Sequence, residues 1–285
     1  MCGVVWFVVS SLPSSTLVGS PAVVTTSTNA VASAPAMNLR VVTRNANNAY
    51  DNALRIDVAH ASTTLETHAA NWRYTTTALT IEQPSTSSSA SLLVGNGWRV
   101  ALRSQDGAVL EDPVIVGTYA DREVFVLAHT IFPSVYLVRR GGGVRELTRL
   151  TDTQHVVGTS GEGVWIVDQE QLAGIGEDAT GPSSLWYASI AEPLRPVATS
   201  TQTITRAIGT PTMAAWMMAT DTYMTVRTQT TALEIPGTPI AWFGDTLVLY
   251  ARTLQGFLMS TWNERAGLQS FWTTKDEPVA VELLD

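Results

Sequence analysis

Apolar residues along this chain recur at every second position in short runs, and Gly, Pro, Asn, Asp or Ser interrupts the pattern between them. Clear runs cover 4–9, 38–43, 54–58, 98–102, 123–128 and 135–139, then 163–167, 184–189, 213–218, 223–228, 246–251 and 257–262. A sustained period of 3.6 is hard to find. The side chains of a strand alternate between two faces, so this pattern predicts an all-β chain of many short strands. A sandwich, a barrel or a propeller would each satisfy it.

Internal repetition separates these architectures. The segment 120–150 shares its plan with 161–200: a strand, a loop, a strand opened by Ser (SVYLV, SLWYA), a turn, and a strand ending before Thr. The plan returns in 243–272, with LVLYA, FLMSTW and LQSFW as strands, and in shorter form in 214–235. The spacing, about 35–45 residues, suits a four-stranded propeller blade.

The stretch SVYLVRRGGGVRELTRLTD (134–152) is the clearest copy: two strands hinged on Gly141, Gly142 and Gly143, the second closing on Leu147 and Thr148. Glycine reaches positive φ without a steric penalty, as tight hairpins require. The spacing places Gly142 and Gly143 in the turn and starts the next loop at Thr148, whose hydroxyl would satisfy a backbone group. A plain hairpin of any antiparallel fold is the other reading. A phosphate-cradling loop would need Lys-Ser/Thr after the glycines and a following helix, and neither is present.

This segment resembles the strand-turn-strand of TolB-type (WD40-like) β-propeller repeats. Tyr136 and Leu137 match the apolar strand positions, Gly142 and Gly143 the hairpin, and Leu147-Thr148 the closing pair. SLWYASIAEPLRPVATS is a weaker copy. Leu185-Trp186 match, but Glu192-Pro193 stand where glycines are expected and Val197-Ala198-Thr199 replace Leu-Thr. The resemblance spans about residues 119–272. It implies one β-propeller domain over 1–285, with six or seven short four-stranded blades. The alternative is an N-terminal β module, with a boundary near residue 90, followed by a smaller propeller. The first 118 residues would supply two or three degenerate blades, and EPVAVELLD at the other end a strand that closes a blade with the chain's start.

Composition narrows the partners. Acids outnumber bases 25 to 17, for a formal charge of −8. Such a surface repels phosphate, so no nucleic-acid partner is expected. Only Lys275 among the bases is lysine, a bias that a GC-rich genome explains. Cys2 is the single cysteine, which excludes an intrachain disulfide and a cysteine metal cluster. The apolar opening 3–9 is too short to span a bilayer, and no basic residue precedes Arg40, so a β-strand without signal peptide or membrane insertion is expected there.

Candidate chemistry is thin. His60, His68, His129 and His155 lack metal-ligand spacing. GTSGEG (158–163) fails the nucleophile-elbow pattern, because Glu162 stands where the last glycine belongs. Glu111-Asp112 and Glu177-Asp178 are adjacent carboxylates, more consistent with solvated loops than with a facing pair. Trp165, Trp186, Trp216, Trp242 and Trp262 fall at near-repeat spacing, where they would fill the core between blades or, alternatively, form a carbohydrate-stacking surface. No catalytic, cofactor or metal residue is therefore assigned, and the named residues are the turn set Gly141, Gly142, Gly143, Leu147 and Thr148. The expectation is a non-catalytic scaffold without cofactor that binds other protein subunits in an oligomer or multi-copy complex, specifically a virion or phage-tail component, located in the virion or cytoplasm. A propeller enzyme or lectin acting on glycans in the central channel is the alternative. A TolB-like accessory protein is the third, disfavoured by the missing signal peptide.

Overall fold

In the computed structural model, residues 36–44, 50–68, 79–82, 90–95, 98–119, 123–160, 163–169, 181–218 and 222–284 are described. The chain divides into Met1–Ala32 and Ser33–Asp285, and every described residue belongs to the second unit. The predicted strand at 4–9 lies outside the described residues, as do Glu177 and Asp178.

The described residues form 23 strands and no helix. They are β1 (Asn38–Arg44), β2 (Tyr50–Asp57), β3 (Ser62–His68), β4 (Thr80–Glu82), β5 (Leu92–Gly95), β6 (Trp98–Ala101), β7 (Glu111–Tyr119) and β8 (Glu123–His129). Then follow β9 (Pro133–Arg139), β10 (Val144–Arg149), β11 (Gln154–Ser160), β12 (Gly163–Gln169), β13 (Ser183–Ser189), β14 (Arg195–Ser200), β15 (Ile204–Thr210) and β16 (Met213–Met218). The last are β17 (Tyr223–Arg227), β18 (Ala232–Pro236), β19 (Thr238–Phe243), β20 (Thr246–Thr253), β21 (Gly256–Asn263), β22 (Gly267–Thr274) and β23 (Glu277–Leu284).

These strands make six antiparallel sheets, the blades of one β-propeller. Blade 1 is β23-β1-β2-β3, blade 2 is β4-β5-β6, and blades 3 to 6 are β7–β10, β11–β14, β15–β18 and β19–β22. Blade 2 has three strands, extended by a short hairpin in which Arg103 pairs with Val109. Residue 90 lies between β4 and β5, which pair with each other. The first strand of each blade lies innermost. Contacts run from β7 to β11, β15, β19 and β23 around the axis.

The ring closes as the sequence leads one to expect. The C-terminal strand β23 becomes the innermost strand of blade 1 and pairs with β1 in register from Asn38↔Leu284 to Arg44↔Glu277. Arg40 and Glu282, opposite each other, form an ion pair of 3.0 Å.

Each core cluster lies in the seam between two successive blades, which explains the side-chain alternation. In β8, Phe125 packs toward blade 4 with Leu137 and Ile166, whereas Val124 and Val126 pack toward blade 2 with Leu93 and Val100. Trp165, Leu185, Ile204 and Ala214 fill the blade 4–5 seam. Met224, Val226, Leu247 and Trp262 fill the next, and Leu39, Val41, Tyr250 and Met259 the seam of blades 6 and 1. The middle strands are covered on both faces, so PSVYLVR and GVWIVDQ read as apolar runs rather than clean alternation. Full burial of such a side chain stabilises by about 1.5–3 kcal/mol before ordering costs. Trp165 and Trp262 are buried, and Trp186, Trp216 and Trp242 pack partly buried against the same clusters, consistent with the core reading.

The glycine hairpin joins β9 to β10 with one refinement. Gly142 N–H donates to Arg139 O at 2.9 Å and Arg139 N–H to Gly143 O at 2.7 Å, and of the three glycines only Gly142 has positive φ, at 98°. Gly143 does not need glycine's freedom, and a Cβ there would meet the Arg139 side chain at 3.8 Å, an ordinary contact. Thr148 does not start a loop. It lies within β10 opposite Val135, and the register skips Leu147, which is therefore a β-bulge residue packed on the blade 3–4 core. The Thr148 hydroxyl still finds a backbone group, donating to Arg149 O at 3.4 Å. Val197 is skipped in the same way in β14 and Phe271 in β22, so the Leu-Thr signature marks a bulge in the outermost strand.

Candidate functional site

The strand directions sort the loops onto two faces. In blades 3 to 6 the outermost strand is followed at once by the next innermost one, through 150–153, 201–203, 237 and 275–276, so these links share one face. Antiparallel order puts the second-to-third loops on that face too, including 130–132 and 254–255. The first-to-second and third-to-fourth loops, among them 140–143, 228–231 and 264–266, lie on the opposite face.

Exposed apolar side chains are unevenly divided between the faces. Val114, Ile131, Phe132, Tyr223 and Leu254 lie on or next to the link face, and Leu268 and Leu283 toward the other. Ile131 is 87% exposed and Leu254 fully so. The Phe132 ring carries the Arg149 guanidinium 5.5 Å from its centroid, and Arg149 also pairs with Glu146 at 3.3 Å, so this corner is held in shape. The intervening links are rich in Thr and Gln, with Asp152, Lys275 and Asp276 as their charges.

Toward the axis the same face is polar. The Tyr250 hydroxyl donates to Glu277 Oε1 at 2.8 Å, joining blade 6 to the first residue of β23. Its ring, 7% exposed, meets Phe257 edge-on at 5.6 Å. Burial pushes the Tyr250 phenol up and the Glu277 carboxylate adds to this, while the Arg206 charge and the Thr238 hydroxyl pull it back. Arg206, on innermost strand β15, donates from Nη1 to Pro239 O in β19 at 3.3 Å. Thr238 Oγ1 lies 3.6 Å from Met217 Sδ. In blade 4, Asp168 accepts from Thr153 Oγ1 at 2.7 Å and from Gln154 Nε2 at 3.1 Å.

The residues singled out in the sequence lie elsewhere. Gly141–Gly143 are on the opposite face, and Leu147 and Thr148 in the outermost strand of blade 3. His60 hydrogen-bonds Asp57 at 2.8 Å, while His129 and His155 lie in different blades. Glu111 and Asp112 are exposed at the start of β7, Asp112 with φ of 46° before Pro113. Gly158–Ser160 of GTSGEG end innermost strand β11, and Gly163 opens its partner β12. Sequence reasoning missed Arg206, Tyr250 and Glu277, because isolated polar residues in strands carry no spacing signal. It also missed a repeat that marks the innermost strands: Val-Gly-Thr at 116–118 and 157–159, and Ile-Gly-Thr at 208–210.

Searched by sequence, the chain matches no protein-family model and no curated protein. Its structure is similar to that of TolB from Acinetobacter baumannii, with a TM-score of 0.51 and 10% identity over 87% of this chain. The fold is that of the TolB propeller. The chain spans 66% of the length of that TolB. A protein assigned as TolB from Agrobacterium tumefaciens gives a TM-score of 0.46 at 10% identity, over 87% of this chain and 99% of that one. The nidogen/laminin complex gives 0.47 at 8% identity, over 86% and 97%. The ring thus exposes single apolar side chains of blades 3, 5 and 6 on its link face and holds the Tyr250–Glu277 hydrogen bond between blades 6 and 1.

Proposed function

We propose that the chain is a non-catalytic interaction propeller that binds a protein partner through its link face. The observation that carries this reading is that Ile131 and Phe132 of blade 3, Tyr223 of blade 5 and Leu254 of blade 6 are all exposed toward that face. Exposed apolar and aromatic groups favour protein association, since burying them releases water. The TolB-like fold supports the same reading, because a rigid ring presents its loops as one broad surface. A virion or phage-tail subunit is one specific form of it, and a TolB-like accessory protein another.

The test is affinity isolation of the full chain beside the triple variant Ile131→Asp, Phe132→Asp, Leu254→Asp. Partners are expected with the wild-type chain and lost with the variant, whose melting temperature stays unchanged. Structural proteins of a particle among the lost partners would favour the virion form. Partners equally retained by both chains, or a clean monomer in both, would overturn the reading.

A further inference from the structure

The outermost strand of a blade has a free edge of unpaired N–H and C=O groups, and proteins guard such edges with charge, proline or short length. Most of the outermost strands here are guarded. β3 carries Glu66 and His68, β10 carries Arg145, Glu146 and Arg149, β14 opens on Arg195-Pro196, and β18, five residues long, carries Glu234 and Pro236. Blade 2 ends in the short hairpin that pairs Arg103 with Val109. β22 differs. Its sequence GLQSFWTT runs for eight residues without a charge or a proline. It pairs with β21 on one side and with none of the described strands on the other.

A second observation falls on the same strand. Leu268 is 45% exposed, whereas β10, β14 and β18 expose no large apolar side chain. The register with β21 sets Leu268 opposite Trp262 and Ser270 opposite Ser260, on one face of the sheet, and the two serine hydroxyls hydrogen-bond at 3.0 Å. Phe271 is the skipped residue, and it packs with Trp272 on the seam of blades 6 and 1, so Gly267–Ser270 is a regular ladder segment ahead of the bulge. β10 and β14 have a bulge of the same kind and carry charge or proline besides, so the bulge does not replace the missing guard.

We propose that β22 pairs through Gly267–Ser270 with β22 of a second copy of this chain, antiparallel about a two-fold axis. Such an axis stands normal to the sheet and keeps the faces of the two copies aligned, so the two Leu268 side chains lie on the same face and cover each other. The charges around the strand suit self-pairing. β22 itself brings none to the contact, and its flanks are mixed in sign, Glu264 and Arg265 before it and Lys275 and Asp276 after it. An antiparallel copy therefore sets one neutral flank against another, although the whole chain carries a charge of −8. Self-pairing of β10 would instead bring Arg145 and Arg149 of both copies together. The contact lies on the circumference of blade 6 and does not depend on the partner proposed for the link face.

The experiment measures the oligomeric state of the full chain by sedimentation equilibrium, from about 1 µM to about 1 mM, a range that covers weak association. Reducing buffer excludes a disulfide through Cys2. A concentration-dependent dimer is expected. Ser270→Lys is expected to weaken it at least about tenfold, and so is Leu268→Glu, which decides the matter if Ser270→Lys does not fold. An equimolar mixture of Ser270→Lys and Ser270→Glu is expected to restore the dimer, because opposite charges then meet across the axis. Thr199→Lys, at an exposed position of β14, is expected to leave it unchanged, as is the link-face triple variant. The proposal is overturned if the wild-type chain stays monomeric throughout, or if Ser270→Lys and Leu268→Glu dimerise like wild type. It is also overturned if the mixture of opposite charges stays monomeric, or if Thr199→Lys weakens the dimer as much as the β22 variants do.

Discussion

Trp165 donates its indole N–H to the carbonyl oxygen of Gly209, 3.0 Å away, across the seam of blades 4 and 5. The tryptophan is fully buried and stacks at a tilt on Tyr187, with ring centroids 4.7 Å apart. Gly209 has φ of 87°, and a Cβ there would run into the Met213 carbonyl, so the acceptor is fixed by its backbone. One indole thus serves as both the largest filler of the seam and its hydrogen-bond clasp.

Replacing Trp165 with Phe leaves the Gly209 carbonyl buried without its partner and opens a small cavity. The expected loss is about 2–4 kcal/mol, from an unsatisfied buried acceptor plus the missing ring volume. Urea unfolding checks it: the midpoint should fall with the slope unchanged. A loss under about 1 kcal/mol would mean that the seam repacks freely or that water replaces the clasp.

The glycine hairpin separates two effects that its sequence merges. Gly142→Val forces a β-branched residue to φ of 98° and should cost about 1–2 kcal/mol or more. Gly143→Val meets no steric barrier and reduces the freedom of the unfolded chain, so its effect should stay within about 0.5 kcal/mol. Melting curves of the two single variants decide this, and equal losses would overturn the assignment of the turn to Gly142.

That hairpin also shows what the sequence discloses and what it withholds. Three glycines between two apolar runs announce a turn, because turn chemistry is local, and the EPVAVELL strand announces closure, because an unpaired end would leave a sheet edge open. Which glycine takes positive φ depends on the strand register, which no single residue encodes. The bulges at Leu147, Val197 and Phe271 are hidden for the same reason: a skipped residue looks like any other apolar strand position. The Tyr250–Glu277 bond was the least legible part. Tyr250 and Glu277 come from blades 6 and 1 and meet only through the closed ring, so no window along the chain contains them. The Gly-Thr pairs were readable but needed a use for the glycine. Gly158 supplies one, since a Cβ there would strike the Ala207 carbonyl of the neighbouring innermost strand.

On the opposite face, Glu264 accepts hydrogen bonds at one oxygen from the hydroxyls of Thr228, Thr230 and Thr231, so that loop 264–266 of blade 6 clasps loop 228–231 of blade 5. These hydroxyls, Thr228 foremost, hold the Glu264 carboxyl below its ordinary value, because they favour the charged form. A depressed folded-state value gives stability that is present above the unfolded carboxylate's range and lost as pH falls through the folded one. Glu264→Gln should therefore melt lower than wild type at pH 7, and the two curves should converge in acid. A difference that stays constant down to about pH 3 would show that the clasp does not depend on the charge.

Ring closure by β23 makes a last prediction. This strand supplies the inner edge of blade 1, buries Val279, and carries both Glu282, the partner of Arg40, and Glu277, the partner of Tyr250. Deleting residues 277–285 leaves β1 with an open edge and uncovers the seam against blade 6, so the shortened chain should lose its cooperative melting transition or melt far lower. Because β23 is joined to the rest by the two-residue link 275–276 and held otherwise by pairing with β1, a synthetic peptide of residues 276–285 should restore it in trans. The restored melting temperature should rise with peptide concentration, as mass action demands of a strand that binds only the folded ring. A peptide with the same residues in reverse order should have no effect, since the β1 register and the Arg40–Glu282 pair depend on sequence order. A shortened chain that melts like the full one would show that β23 does not close the ring in solution.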